Sequence, residues 1–366
     1  MKKILSVLAT LILVLGVLPA TFGVSTGGGV NPIIEPEEFE PYIWLCDSRV
    51  VYDDYTEPGR FSDGGEELLE RINNYAFEGE QITWDVLVMD KNGIEKIKDV
   101  YVTVDDEIEA NCRFTGILGP GDKIDDSCNA RISEEEFEYV PEGYENVFAT
   151  YTCTLTVETS ESMYDEVWIV PVAEDLDGNE VEADEHEKWF LNPILALAVS
   201  DETIDFEDVR PGTSSYSNTI TVGNDADEGS GVMMDMFISG TDFYDSDNSG
   251  AKCPDTNKLE LENFRYYATN GAYSTSGDDE VDVVDGDRDS DAEGYVNIEY
   301  GIGFNNPSPF YDNAEILQDQ AVGPYYTANL LAPGADMSLT FRLDLPLPCN
   351  AESFDTGDIF FWGEAI

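Results

Sequence analysis

Residues 147–159, VFATYTCTLTVET, alternate with a period of two. Val147, Ala149, Tyr151, Cys153, Leu155 and Val157 fall on one side, and mostly threonines on the other. A chain with that period can bury one face only as a β-strand. The pattern recurs in QITWDVLVMD, with Ile82, Trp84, Val86 and Val88 on one face, and in DVYVTV, with Val100, Val102 and Val104. Between these two, Asp90-Lys91-Asn92-Gly93 reads as a turn, because Asn-Gly suits positive φ. EVWIVPVAEDLDGNEVE reads as a strand and a turn at Asp177-Gly178-Asn179. The one helix candidate is short, GEELLERIN at 65–73. Short strands separated by turn residues predict an all-β sandwich fold.

The 366 residues are 42% apolar, enough for packed cores and for two to three domains. Lys and Arg number 18 against 77 Asp and Glu, a formal net charge of −59. That balance excludes recognition of a nucleic-acid backbone, which needs clustered cations, and disfavours an anionic lipid surface. A single histidine, His186, rules out schemes that need two imidazoles. It sits between Glu185 and Glu187 and reads as solvated.

Met1-Lys2-Lys3 followed by ILSVLATLILVLGVLPA has the shape of a secretory signal peptide, expected to span 1–23. An uncleaved anchor is the alternative, although the apolar run is short for a span. DIFFWGEAI, with Asp358 and Glu364, does not read as a tail anchor. Export predicts an extracellular or cell-surface location. It also makes disulfides the natural reading of Cys46, Cys112, Cys128, Cys153, Cys253 and Cys349. No CxxC occurs, so zinc ribbons and dithiol redox sites are not expected. If each domain closes its own bridges, Cys253 pairs with Cys349. The short loop then favours Cys112–Cys128 and leaves Cys46–Cys153.

Residues 24–41 are Gly- and Pro-rich and then acidic, and read as a flexible tether. A first domain is expected over 42–188. The charged stretch ADEHEKWFLNP at 183–193 reads as the junction, and a second domain spans 189–366. Its middle, about 242–330, is rich in Asp, Asn, Gly and Tyr and reads as a long insertion with extra strands and covering loops.

In the second domain an aromatic-bearing strand (Ile204, Phe206) meets a Pro211-Gly212 turn. An alternating strand (Ile220, Val222) then ends in Asn224, and another leads into Ile238-Ser239-Gly240. Pro333-Gly334 leads into MSLTFRLDL, followed by GDIFFWGEAI. This order resembles the immunoglobulin-like domains of the Hydin and PapD-like type in exported surface proteins. The last two segments resemble the final two strands of that sandwich. FEGEQITWDVLVMDKNG in the first domain is similar, more loosely, to prokaryotic Ig-like surface modules. The resemblance implies two immunoglobulin-like antiparallel β-sandwich domains in tandem after the signal peptide. It implies no catalytic residues.

With 77 carboxylates, acidic pairs carry no weight for glycoside hydrolysis. No nucleophile, phosphate-loop or metalloprotease motif stands in its required context. Calcium has more support. Asp285, Asp287, Asp289 and Asp291 fall at every second position before Glu293-Gly294, and alternate carboxylates in a tight loop can converge on one hard cation. Asp245, Asp247 and Ser249 match the opening ligand spacings of a calcium loop, but Thr256 stands where the closing Glu of an EF-hand would be. The alternative for both is a solvated acidic loop.

The function expected from these features is a secreted, non-enzymatic structural or adhesive protein. It would assemble with itself or with other cell-envelope proteins, with Ca2+ as a candidate ion. It would bind no nucleic acid and insert in no membrane once the signal is removed. The 19 tyrosines keep open a carbohydrate-binding module that contacts surface glycans, since aromatic rings stack on sugars. A glycoside hydrolase is the third reading.

Overall fold

The strand Gln81–Met89 sits at the centre of the first half of the structure, a computed structural model. It describes residues 38–366 except 47–48, 53–70, 72, 202, 207–208, 277–290, 302–313, 323–324 and 351–352. The expected signal peptide, most of the tether and most of the helix candidate at 65–73 lie outside the described residues. Ile82, Trp84, Val86 and Val88 are buried on the inner face, as the alternation predicts. Leu87 and Met89 are buried too, because residues 119–147 cross the opposite face. There Ile124, Cys128, Phe137 and Val140 pack against Trp44, Leu87, Met89 and Phe148.

Gln81–Met89 is flanked by Tyr42–Leu45 and Val50–Tyr52 on one side and by Phe148–Thr156 on the other. The order continues through Glu107–Leu118, Ile97–Val104, Asp165–Asp175 and Glu187–Leu191 to Tyr75–Ala76, in one ten-stranded sheet. Glu107–Leu118 makes the corner. Its first half pairs with Ile97–Val104 and its second with Phe148–Thr156. Register shifts at Val102/Thr103 and Phe114/Gly116 flank that corner, and bulges of this kind bend a strand. The sheet therefore folds over on itself and encloses one apolar core. At the Asn92-Gly93 turn Gly93 has φ 109°, and a Cβ there would meet the Glu95 carboxylate.

The stretch read from its charge as a junction is partly strand. Glu187–Leu191 pairs with Asp165–Asp175, and Trp189 and Leu191 lie in the first core. Charge at 184–188 masked the alternation Glu187, Trp189, Leu191. The Glu187 carboxylate is accommodated because Trp84 Nε1 and Trp189 Nε1 both donate to Oε2, at 3.1 and 2.9 Å, and Arg49 donates to Oε1 at 2.7 Å.

From residue 197 the strands form other sheets. Leu197–Val199, Ser214–Asn224, Asp336–Asp344 and Phe264–Asn270 lie side by side, with Tyr273–Ser274 and Val296–Asn297 on the last. Opposite them Met234–Gly240 pairs with Ile359–Ala365 along its length, and with Leu330–Leu331 and Glu299–Tyr300 on its other edge. Ile220, Val222, Met236, Ile238, Tyr266 and Phe341 fill the space between. The last two strands, though consecutive in the chain, do not pair with each other. Asp336–Asp344 lies in the larger sheet and Ile359–Ala365 in the facing one. Alternation reports which side chains face inward, not which of two facing sheets a strand joins.

The disulfides are Cys46–Cys128, Cys112–Cys153 and Cys253–Cys349. Only the third follows the pairing expected from sequence. Cys112 stands directly opposite Cys153 on adjacent strands. Cys46, at the end of Tyr42–Leu45, meets Cys128 in the crossing segment. The short-loop argument for Cys112–Cys128 and Cys46–Cys153 failed because strand register, not chain separation, sets the thiol distances.

Phe39–Ile366 cluster as one compact unit. Contacts run between its earlier and later strands. Tyr75 and Phe190 belong to the second core, and the Tyr75 hydroxyl donates to Ile366 O at 2.5 Å. Arg71 lies 4.3 Å over the Tyr75 ring and pairs with Glu80 at 2.8 Å. Asn73 Nδ2 donates to Gly231 O at 2.7 Å, and Asp227 Oδ2 accepts from Tyr164 and from Ile194 N. The fold is all-β, as expected. No helix among the described residues is long and apolar enough to cross a membrane.

Candidate functional site

The outer face of the larger sheet in the second half gathers tyrosines, arginines and hydroxyls. Ile220, Ala268, Leu339 and Phe341 point to the core, so their strand neighbours point outward. Register aligns these in rows. Tyr216, Arg342 and Arg265 lie across one row, then Thr219, Thr340 and Tyr267, then Thr221, Ser338 and Thr269.

Two arginines directly opposite each other repel. Acid side chains offset that. Asp291 Oδ2 is 2.5 Å from Arg342 and 3.8 Å from Arg265, and Asp344 and Glu293 approach Arg342 at 3.0 and 3.4 Å. Burial raises the Asp291 carboxyl, but the Tyr295 and Glu293 amides and Arg342 outweigh it and hold it below the usual value. Arg342 lies 4.9 Å over the Tyr295 ring, and Tyr216 donates to Glu293 Oε2 at 2.8 Å. The Tyr295 ring is 5.7 Å from both Tyr216 and Tyr267, at tilts of 54° and 44°. Of these tyrosines Tyr216 is the exposed one, at 47%.

Asp291 thus lies against the arginine pair, with Glu293 and Asp344 beside it. Asp285, Asp287 and Asp289 lie outside the described residues. The second calcium candidate forms a tight turn. Asp245 is buried, and its carboxylate accepts from the amides of Ser249, Gly250 and Ala251 and from the Ser249 hydroxyl. Burial raises this carboxyl, and those amide hydrogen bonds more than reverse the effect. Asp247 is exposed on the same turn. Among the described residues no group of three or more His, Cys, Asp or Glu is arranged to hold a metal ion. The same turn leads into Cys253 and its bridge to Cys349.

A concave feature flanks the Cys46–Cys128 bridge. A groove of ≈ 410 Å³ runs between the outer face of the first sheet and the crossing segment, lined by Asp85, Thr115, Thr150, Thr152, Lys123 and Asp125. Its polar groups engage one another. Thr152 donates to Asp85, Thr115 to Thr150, and Lys123 pairs with Asp126 beside the groove. His186 packs against Trp168 at 6.3 Å, with Glu182 at 3.9 Å.

The tyrosine richness of 242–330 is plain in the sequence, but the approach of Arg342, distant in the chain from Arg265 and Tyr267, is not. The signal available was the outward phase of MSLTFRLDL, which sets Arg342 among Ser and Thr.

No protein-family model matches the chain, and no curated protein matches it by sequence. Solved structures that resemble it include the C-terminal domain of the antigen I/II polypeptide BspA of Streptococcus agalactiae. That match has 12% identity, covers 89% of this chain and 97% of the other, and has a TM-score of 0.28. The C-terminal domain of the antigen I/II-family protein AspA of Streptococcus pyogenes matches at 9% identity, covering 90% and 97%, with a TM-score of 0.29. Likeness of that degree carries no argument about what this chain does.

Proposed function

We propose that this chain is an exported structural or adhesive component of a cell surface, acting through contacts rather than chemistry. One observation carries the reading: the β-strands before and after residue 192 meet through buried contacts, and each set is closed by its own disulfides, two before it and one after. Disulfides form and persist in oxidising compartments, and a cross-linked β-unit suits a load-bearing part. A net charge of −59 keeps copies apart in dilute salt, so contacts with envelope partners would strengthen as screening rises. The test is light scattering on the mature protein across salt concentrations, together with binding to its own cell envelope. Association or envelope binding supports the reading, and a strict monomer with no envelope affinity overturns it.

The rows of tyrosine and hydroxyl side chains favour glycan contact as a second reading. The tilted rings form no flat strip, so it ranks behind the first. A glycan array separates the two. Calcium belongs to the first reading, with Asp285, Asp287 and Asp289 as its ligands and Asp291 committed to Arg342.

A further inference from the structure

Asp235 is a carboxylic acid in the middle of a sheet, 6% exposed, on the strand Met234–Gly240. Its Oδ1 accepts from Asn329 Nδ2 at 2.7 Å. Asn329 is itself fixed, since its Nδ2 also donates to Met236 O at 2.6 Å and its Oδ1 accepts from Leu317 N at 2.9 Å. The charged groups that bear on Asp235 are Glu364 and Glu315, both anionic. Glu364 is its direct partner across the ladder with Ile359–Ala365. Glu315 comes from the other edge, where it bridges Phe237 and accepts from Gln318 at 3.0 Å. Leu330, opposite Asp235 on Leu330–Leu331, is uncharged.

A buried carboxylate beside two others is costly unless it keeps its proton. The geometry points to a proton-controlled latch in which neutral Asp235 allows Ile359–Ala365 to close on Met234–Gly240, and its ionisation loosens that strand. The strand that yields is the one that sets an acid, Glu364, directly opposite Asp235. Among the described strands Ile359–Ala365 pairs only with Met234–Gly240, whereas Met234–Gly240 is also held by Leu330–Leu331, Glu299–Tyr300 and the bridge to Glu315. Burial, the largest influence, pushes the Asp235 carboxyl from 3.8 up to about 7, with Glu315 and Glu364 adding and the Asn329 hydrogen bond opposing.

The sign follows from linkage. The closed strand holds a proton that the open strand releases. Stability of the closed form is complete below the open-state value and falls as pH rises through the closed-state value. This latch goes beyond the structural reading above and does not depend on it.

The test is amide hydrogen exchange of residues 359–365 in the full chain, corrected for intrinsic rates, with 336–344 as the reference. Opening of 359–365 should rise about tenfold per pH unit between roughly pH 4 and 7, then level off, while 336–344 changes far less. Asp235→Asn keeps an oxygen to accept from Asn329 and carries no charge. It should abolish the slope and hold the strand closed at every pH. A wild-type strand whose opening is independent of pH, or a slope that survives in Asp235→Asn, overturns the latch.

Discussion

Glu187→Ala removes the acceptor shared by two buried indoles. Trp84 and Trp189 are each 1% exposed and meet edge to face at 5.9 Å. Both Nε1–H groups end on Glu187 Oε2, at 3.1 and 2.9 Å. An orphaned buried donor costs ~1–3 kcal/mol, so two give roughly 2–6 kcal/mol. The Arg49 pair adds little, because that side chain is 39% exposed and such pairs contribute about 0–1 kcal/mol. The Glu187 side chain is 13% exposed, so water can follow the truncation and partly satisfy the indoles, which places the expected loss near ~2–4 kcal/mol. Glu187→Gln keeps an acceptor oxygen and should lose only about 1 kcal/mol. Urea unfolding followed by tryptophan fluorescence measures both variants, and indole N–H exchange by NMR reports on the two rings directly. If Glu187→Ala falls within about 0.5 kcal/mol of the parent, or Glu187→Gln costs as much as Glu187→Ala, the shared-acceptor account is wrong.

Replacing Cys46 and Cys128 together by Ala should cost ~2–5 kcal/mol and expose 119–147 to proteolysis before the sheet beneath it unfolds, as limited digestion with mass spectrometry would show. Tyr75→Phe deletes the buried hydrogen bond to Ile366 O and should lower stability by about 1–3 kcal/mol in thermal unfolding; a neutral result would mean that the joint between the two cores does not depend on it. Calcium should raise the melting temperature beyond an equal ionic strength of sodium. Asp291→Asn should leave that increment intact, and loss of Asp285, Asp287 and Asp289 together should abolish it. Equal melting curves in the two salts would remove the calcium reading.

Much of the fold was legible because the alternation is strong. Ile82, Trp84, Val86 and Val88, and Val100, Val102 and Val104, face the core that their period of two predicts. The turns at Asn92-Gly93 and Asp177-Gly178 were legible from residues that tolerate positive φ. At the second turn Asp175 accepts from the amides of Asp177 and Asn179. The candidate site was less legible. The every-second spacing of Asp285 to Asp291 gives no sign of Arg342, which the return of the chain brings alongside Asp291. The spacing Asp245, Asp247, Ser249 does not show that the Asp245 oxygens close the turn that contains it.

The sequence by itself determined what depends on neighbours along the chain: strand phase, turn positions, the export signal as an expectation, and a strongly acidic composition. Tertiary structure decided what depends on neighbours across space. It chose Cys153 for Cys112 through register, and it buried Leu87 and Met89 under a crossing segment. It set the last two strands in opposite sheets. It also turned two ordinary acids into special ones, Glu187 between two indoles and Asp235 between two other acids. Alternation has a period but no address: it fixes which way a side chain points, while the identity of what it meets is set only when distant strands pair.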